Sequence, residues 1–149
     1  MLKNIPSIIS PELLKILMEM GHGDELVIAD GNFPGASICA ESGAKLVRCD
    51  GHGVPEILEA IMTLLPLDQY VEQPTALMQV VPGDNVQPTI WAEYEKIVNK
   101  YDPDGMKNGF DMVERFAFYD RAKKAYAVVM TGESAIYANI ILKKGVVKA

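Results

Sequence analysis

Apolar and polar positions along the chain predict helices and strands in alternation, beginning with an amphipathic helix. Ser10-Pro11-Glu12 indicates its start, because serine caps helices, proline suits the first helical position and an acidic side chain suits the first turn. Gly21 predicts its end. The continuous apolar run Leu26–Ala29 follows, and such runs are typical of strands buried on both faces. The chain therefore opens as helix, turn and buried strand.

The same alternation continues to the C-terminus. Further strands are predicted at Lys45–Cys49, Thr75–Val81, Phe110–Glu114, Tyr126–Met130 and Asn139–Leu142, and further helices at Val54–Leu65, Pro88–Tyr101 and Arg115–Lys124. Gly35–Ala44 is rich in glycine, alanine and serine, and we interpret it as a loop. Strands alternating with helices predict an α/β fold, a three-layer sandwich with helices on both faces of a mostly parallel sheet. One strand near the C-terminal end is expected to be antiparallel.

Length and charge limit the classes of protein to consider. The 149 residues fit a single domain, 1–149, of ordinary globular composition. A net charge of −6 argues against nucleic-acid binding, which needs clustered lysine and arginine. No apolar stretch is long enough to span a bilayer and no secretory signal is recognisable, so we expect a cytoplasmic protein. Cys39 and Cys49 are expected to be reduced, structural thiols.

Several common chemistries have no motif in this sequence. Gly21-His22-Gly23 and Gly51-His52-Gly53 continue neither as Gly-x-Gly-x-x-Gly nor as a phosphate-binding loop. A Gly-x-Ser-x-Gly nucleophile turn is absent. The two histidines lack metal-ligand spacing, so we expect no metal site and no cofactor. His52 is interpreted as a helix-start or solvent-facing residue.

His22 and Asp30 lie at the two ends of the first predicted strand, each in a turn rich in glycine. A histidine with a pKa near 6.5 can give and take a proton at neutral pH. The alternatives are structural: His22 as a turn residue that caps the preceding helix, and Asp30 as a turn former that binds its own backbone. The sequence alone leaves both interpretations open.

A wider set of polar residues suits proton transfer on a small polyhydroxylated molecule without a cofactor. The candidates are His22, Asp30, Arg115, Tyr119, Tyr137 and Asn139. Carboxylate, guanidinium and amide groups would hold hydroxyls. Alternatively, Arg115 forms a surface ion pair with Glu114 or Asp120, and the two tyrosines are half-buried aromatic residues.

Five blocks of the sequence resemble the L-fucose mutarotase family, which is the sibling of the D-ribopyranases. They are Ile9–Lys15, Glu19–Glu25, Asp30–Pro34, Arg115–Ala122 and Leu142–Val146. The blocks that contain His22 and Arg115 are specific when found together in this order, whereas 35–109 resembles the family mainly in pattern. The chain departs from the family at Ala138, where glycine is expected, and an added methyl group there would narrow a sugar pocket.

The resemblance implies a ribose-pyranase-like fold and an enzyme that interconverts the α and β anomers of free L-fucose or a close relative. It implies that His22 is the proton donor and that Asp30, Arg115 and the segment Tyr137-Ala138-Asn139 bind the sugar. Tyr119 would stack on the sugar or donate a hydrogen bond to it. The resemblance also implies a homo-oligomer, commonly a decamer of two pentameric rings with sites near subunit boundaries.

Two alternative functions remain at this point. One is a ribopyranase-type enzyme that interconverts pyranose and furanose forms, although the block that begins at Arg115 favours the mutarotase. The other is a non-catalytic protein that binds a monosaccharide or assists its transport.

Overall fold

A six-stranded sheet forms the centre of the protein, in a computed structural model that describes residues 1–149. The strands are β1 (Glu25–Ala29), β2 (Lys45–Cys49), β3 (Thr75–Met78), β4 (Asp111–Val113), β5 (Ala127–Thr131) and β6 (Ile140–Lys143). Their order across the sheet is β2-β5-β1-β6-β3-β4. All neighbouring pairs are parallel except those of β6, which is antiparallel to both β1 and β3. The mostly parallel sheet and its late antiparallel strand are therefore confirmed.

Helices cover both faces of the sheet. They are α1 (Pro11–Glu19), α2 (Gly35–Ser42), α3 (Val54–Met62), α4 (Ile90–Tyr101) and α5 (Arg115–Lys123), with a short 3₁₀ helix at Pro103–Met106. The larger core cluster lies between the sheet and α1, α3 and α4, and the smaller one between the sheet and α2 and α5. The predicted three-layer sandwich is confirmed. None of the helices is long and apolar enough to cross a bilayer.

The segment predicted as a loop at Gly35–Ala44 contains α2, so that prediction is wrong. A side chain at Gly35 would collide with the Met130 side chain on β5, which means that this glycine permits close approach of the helix to the sheet. Gly43 ends the helix with a left-handed φ of 81°, as helix-terminating glycines commonly do. The small residues of this segment therefore reflect tight packing of a helix on the sheet.

The direction of the strands gives the sheet two functionally different edges. β1 to β5 all run the same way, so their C-terminal ends meet at one edge, which we call the carboxyl edge. The start of β6 also lies there, because β6 runs in the opposite direction. The opposite edge, which we call the amino edge, holds the residues before β1 and those after β6.

Candidate active site

A cavity of about 250 Å³ opens at the carboxyl edge of the sheet. Its lining residues are Asp30, Asn32, Met78, Asp84, Arg115, Tyr119, Ile136, Tyr137 and Asn139. Five residues predicted from the sequence are thus brought together, although they are distributed over more than a hundred positions of the chain. Ligands of α/β proteins commonly bind at this edge of the sheet. The volume lies just below the ~300–1,000 Å³ typical of drug-sized ligands, as expected for a small polar ligand.

Asp30 is the buried acid of this cavity, with only 3% of its surface exposed. One carboxylate oxygen accepts a hydrogen bond from the Asn32 N–H at 3.0 Å, and the other accepts one from the Ala138 N–H at 3.2 Å. Burial raises the pKa of Asp30 above its usual value, although these N–H groups act in the opposite direction. The turn interpretation is therefore correct for one oxygen, while the second oxygen joins β1 to the segment before β6.

Asn139 presents a hydrogen-bond donor to the cavity. Its Oδ1 accepts the Asp30 backbone N–H at 2.8 Å, which fixes the orientation of the amide. The Nδ2 hydrogens have no acceptor in the protein, and Asn139 lines the cavity. An amide held in this way can donate to a ligand hydroxyl.

Ala138 contributes to the site through its backbone. Its N–H donates to Asp30, and its carbonyl oxygen accepts from the Tyr94 hydroxyl at 2.7 Å. The side chain is fully buried and Ala138 is not among the residues that line the cavity. The expected narrowing of the pocket by the alanine methyl group is therefore not seen.

Arg115 and Tyr119 form one wall of the cavity, one helical turn apart on α5. Glu114 begins this helix by accepting the N–H groups of Phe116 and Ala117, both at 3.0 Å. Arg115 Nε donates to the Tyr119 hydroxyl at 3.1 Å, and the guanidinium lies 5.5 Å from the Tyr119 ring centroid. Arg115 therefore pairs with Tyr119, and the alternative of an ion pair with Glu114 or Asp120 is wrong. Because the Tyr119 hydroxyl accepts from Arg115, its own proton is free to be donated.

Tyr137 has a backbone conformation that is unusual for its residue type. Its φ is +56°, in the left-handed region that non-glycine residues seldom adopt, and such conformations cluster at functional sites. Trp91 Nε1 on α4 donates to the Tyr137 carbonyl oxygen at 2.8 Å. The Tyr137 hydroxyl donates to Asp84 Oδ2 at 2.5 Å and accepts from the Val81 N–H at 3.3 Å. Contacts at both ends of the residue thus hold the Tyr137 ring at the cavity.

His22 lies at the amino edge, away from the other predicted site residues. It precedes β1 whereas Asp30 follows it, and the four residue steps of this strand alone separate them by about 13 Å. His22 Nε2 lies 3.0 Å from Asp68 Oδ1, and the His22 ring centroid is 5.3 Å from that of Tyr70. His22 and Asp30 do lie at the two ends of β1, as predicted from the sequence, so the two side chains do not meet within a single chain. His22 does not cap α1 either, because its polar partner is Asp68.

Asp68 is a residue of this second cluster that the sequence did not identify. It is 4% exposed, while the His22 side chain is 44% exposed, so a buried carboxylate holds a solvent-facing imidazole. Burial alone would raise the pKa of Asp68, but the Tyr70 N–H and His22 together lower it below its usual value. Its only sequence signal is a lone acid beside the apolar residues Leu64–Leu67.

The remaining candidates form no further site. Cys39 and Cys49 are buried and unpaired, in agreement with the prediction of structural thiols. His52 lies beside the start of α3, with Nδ1 3.0 Å from a Glu56 carboxylate oxygen, as predicted. The chain contains no group of three or more His, Cys, Asp or Glu side chains arranged to hold a metal ion.

The sequence is similar to those of known sugar mutarotases over almost its whole length. The human protein named fucose mutarotase is 53% identical over 148 residues, which cover 97% of this chain and 94% of the human one. FucU of Bifidobacterium longum is 57% identical in sequence. Its crystal structure matches this fold with a TM-score of 0.93, over 98% of this chain and 100% of that one. The fucose mutarotase of Streptococcus pneumoniae, crystallised with L-fucose, is 51% identical, with a TM-score of 0.87 over 99% and 100% of the two chains.

A more distant structure shares the fold alone. Bacillus subtilis RbsD, solved with D-ribose, is 23% identical and has a TM-score of 0.71 over 99% of this chain and all of that one. This likeness confirms the expected ribose-pyranase-like fold.

The model described as the RbsD / FucU transport protein family matches residues 3–147, and the family resemblance carried by the His22 and Arg115 blocks is confirmed. The chain belongs to the RbsD / FucU family.

Proposed function

We propose that this protein is an L-fucose mutarotase, an isomerase that interconverts the α and β anomers of the free sugar. The observation that carries the proposal is the cavity at the carboxyl edge, where Asp30, Arg115, Tyr119, Tyr137 and Asn139 converge in a chain that belongs to this family. The name of the human relative and the L-fucose bound to the Streptococcus pneumoniae relative point to the same sugar.

The hydrogen-bonding groups of the cavity suit a polyhydroxylated ring. Asn139 and Arg115 offer N–H donors, Tyr119 offers an O–H donor and Asp30 offers carboxylate lone pairs. Each sugar hydroxyl can both donate and accept, so it can satisfy either kind of partner. The tyrosine rings supply apolar faces on which the C–H surface of a pyranose can pack. The cavity therefore binds a monosaccharide through several hydroxyls at once.

The proposed reaction opens and recloses the sugar ring through proton transfers. An acid protonates the ring oxygen while the anomeric hydroxyl loses its proton to a base or to water. The bond between the anomeric carbon and the ring oxygen breaks, and the open-chain aldehyde forms. Rotation about the bond next to the carbonyl exposes its other face, and reclosure reverses the proton movements. Nothing is oxidised or reduced and every atom is retained, so the reaction requires neither a redox cofactor nor a metal. A positioned acid or base typically accelerates such steps ~10²–10⁴-fold.

We assign the proton donor role to His22 of a neighbouring subunit. Within one chain His22 lies at the amino edge, too far from the cavity to reach a sugar bound there. Its exposed imidazole, supported by buried Asp68, suits a group presented to a second copy of the protein. Exposed apolar neighbours such as Tyr70 and Val71 support an interface at this edge. We therefore propose a homo-oligomer in which the amino edge of one subunit completes the cavity of the next, in two pentameric rings.

The working environment follows from the same proposal. Two buried thiols without a disulfide suit a reducing compartment, and we propose that the enzyme acts in the cytoplasm on the free monosaccharide. Its partners are the sugar and further copies of its own chain, and the acidic net charge of −6 gives it no footprint for nucleic acid.

Anomer exchange measured by NMR tests the reaction. Magnetisation exchange between the α and β anomers of L-fucose is expected to accelerate when the protein is added, with D-ribose measured in parallel. Acceleration for D-ribose alone would move the function to pyranose–furanose interconversion. Binding of L-fucose without acceleration would identify a sugar-binding protein and overturn the proposal.

Mixing two inactive variants tests the shared site. His22→Ala leaves the Asp30 half intact, and Asp30→Asn leaves the His22 half intact. The two variants are co-expressed in equal amounts. If Asp30 and His22 of one site come from different subunits, random assembly places an intact Asp30 beside an intact His22 at about a quarter of the sites, and activity should return at those sites. Sedimentation velocity of the same samples is expected to give a decamer. Activity that stays at the level of the separate variants would contradict a shared site.

A further inference from the structure

Two tyrosines line the cavity with opposite hydrogen-bond polarity. The Tyr119 hydroxyl accepts from Arg115 Nε and keeps its own proton free. The Tyr137 hydroxyl instead gives its proton to Asp84 Oδ2 at 2.5 Å. A phenol has a single proton to donate, so Tyr137 has none left for a ligand. The two rings therefore present different groups to a sugar.

The remaining capacity of the Tyr137 hydroxyl is that of an acceptor. The Val81 N–H approaches the hydroxyl oxygen at 3.3 Å, and the oxygen keeps acceptor capacity on a residue that lines the cavity. The hydrogen bond to Asp84 raises the pKa of Tyr137, so the phenol remains neutral at physiological pH. The nearby positive charge of Arg115 acts in the opposite direction. Asp84, rather than Arg115, thus dominates the state of this hydroxyl.

The backbone keeps Tyr137 in place for this role. Trp91 holds its carbonyl oxygen, and Tyr94 holds the next carbonyl at Ala138. With the main chain fixed at a φ of +56°, the hydroxyl has little freedom to seek another partner. Asp84 belongs to the irregular segment 79–89 between β3 and α4 and lines the same cavity. The carboxylate and the phenol therefore meet at the wall of the sugar site.

On the basis of the proposed function, we infer that Asp84 is a positioning residue for sugar recognition. Asp84 accepts the hydrogen bond that the Tyr137 hydroxyl can donate, so toward a sugar this hydroxyl acts only as an acceptor. It therefore selects a sugar hydroxyl that donates at that point of the ring. A sugar without a donor at that position leaves two acceptors facing each other. Asp84 thereby contributes to specificity without itself being required for proton transfer.

Fluorinated sugars distinguish this role from a merely structural one. Fluorine replaces a hydroxyl with a group of similar size that accepts weakly and cannot donate. Analogues of L-fucose with one ring hydroxyl at a time replaced by fluorine are measured for their dissociation constants. We expect the wild-type protein to bind the analogue that faces Tyr137 about tenfold more weakly than L-fucose, as the loss of one hydrogen bond predicts.

Asp84→Ala releases the Tyr137 proton and should abolish this discrimination. L-fucose is expected to bind more weakly to the variant, while the discriminated analogue binds no more weakly than to the wild type. Asp84→Asn should retain the discrimination, because its amide oxygen can still accept the Tyr137 proton. Asp120→Ala is the matched control, since Asp120 is an exposed acid on α5 whose side chain makes no hydrogen bond. Equal weakening of every sugar by Asp84→Ala would overturn the inference.

A measurement without sugar makes the test independent of turnover. The phenol of Tyr137, followed by NMR of tyrosine labelled at the ring carbon that carries the hydroxyl, should titrate at lower pH in Asp84→Ala than in the wild type. An unchanged titration would overturn the inference. If the wild type binds L-fucose without accelerating exchange, the proposed mutarotase function fails, and the fluorinated sugars still decide the role of Asp84.

Discussion

The two edges of the sheet differ in what they offer to a substrate. The carboxyl edge has a cavity lined by donors and acceptors from four separate parts of the chain, but no histidine. The amino edge has an exposed histidine supported by a buried acid, without such a convergence of sugar-binding groups around it. In the proposed function, sugar binding and proton transfer are therefore separated within one chain. A complete site would then require residues of two subunits.

Each edge of the sheet has one buried aspartate, and the pKa values of the two aspartates are shifted in opposite directions. Asp30 and Asp68 are almost equally buried, at 3% and 4% exposure. Burial raises the pKa of Asp30, whereas the Tyr70 N–H and His22 lower the pKa of Asp68 below its usual value. Similar surface exposure therefore accompanies opposite shifts, and the groups that donate to Asp68 account for its lowered pKa.

Loss of the His22 imidazole should have the largest effect on activity. His22→Gln should reduce catalysed anomer exchange of L-fucose by about 10²–10⁴-fold, because it removes the proposed proton donor and keeps a polar side chain of similar size. The dissociation constant of L-fucose should change only a few-fold, since the binding groups lie at the other edge. Exchange is measured by NMR and affinity by calorimetry. A loss of affinity as large as the loss of rate would show that His22 also binds the sugar and would contradict the proposed separation of the two roles.

Removal of the Arg115 guanidinium at the carboxyl edge should weaken sugar binding, in contrast to the loss of exchange rate expected for His22→Gln. Arg115→Met is expected to raise the dissociation constant of L-fucose about 10–100-fold, because hydrogen bonds to a charged group contribute about 1.5–3 kcal/mol. Arg48→Met serves as the control, since Arg48 is exposed at β2 and pairs with Asp50. Calorimetric titration of both variants checks the result. Similar affinities in the two variants would remove Arg115 from the sugar site.

The pH dependence of stability should have opposite signs at the two edges. The folded pKa of Asp30 lies above the ordinary 3.8, so its contribution to stability is present at low pH and is lost as pH rises through the raised pKa. The folded pKa of Asp68 lies below 3.8, so its contribution is present above that value and is lost as pH falls through the lowered pKa. Each tenfold difference in proton affinity corresponds to about 1.4 kcal/mol.

Urea unfolding of the wild type, Asp30→Asn and Asp68→Asn from about pH 3 to pH 7 measures these slopes. The free energy of unfolding of the wild type relative to Asp30→Asn should fall as pH rises. Relative to Asp68→Asn it should rise. All three proteins are compared at one protein concentration, because an oligomer's stability depends on it. If both differences in unfolding free energy changed in the same direction with pH, the opposite pKa shifts of Asp30 and Asp68 would be refuted.

The smallest effect is expected at Ala138, the position where the family resemblance predicts glycine. Ala138→Gly should lower the free energy of unfolding by about 1 kcal/mol, because a buried methyl group is lost and glycine adds freedom to the unfolded chain. The dissociation constant of L-fucose should change less than about twofold, because this methyl group does not line the cavity. Thermal unfolding and calorimetry provide the two measurements. A large gain in affinity would show that alanine does restrict the sugar.

Local patterns were enough to predict most of the fold. Ser10 and Pro11 do begin α1, and the unbroken apolar run of β1 does lie in the middle of the sheet. The helix α2 was missed because its small residues are explained by a contact with Met130, a residue distant in sequence. Periodicity contains no information about such a contact. Tertiary packing therefore limited the prediction at this point.

The candidate site was predictable in its composition and only partly in its geometry. Asp30 and Arg115 were found because carboxylate and guanidinium groups suit sugar hydroxyls, and they do line one cavity. His22 was listed with them as a polar candidate, but its place at the other end of the first strand puts it at the opposite edge of the sheet. Asp68 and Asp84 were missed, since each matters through a side chain far away in the sequence.

The antiparallel strand β6 has a mechanical consequence for any ring of subunits. The residues before it hold Asp30, and after it the Lys144 carbonyl oxygen accepts the Gly23 N–H beside His22. This four-residue strand fixes the separation between His22 and the cavity within one chain. In the proposed ring, every subunit would present these two features at the same separation. Inserting a single residue into β6 would change that separation in every subunit at once.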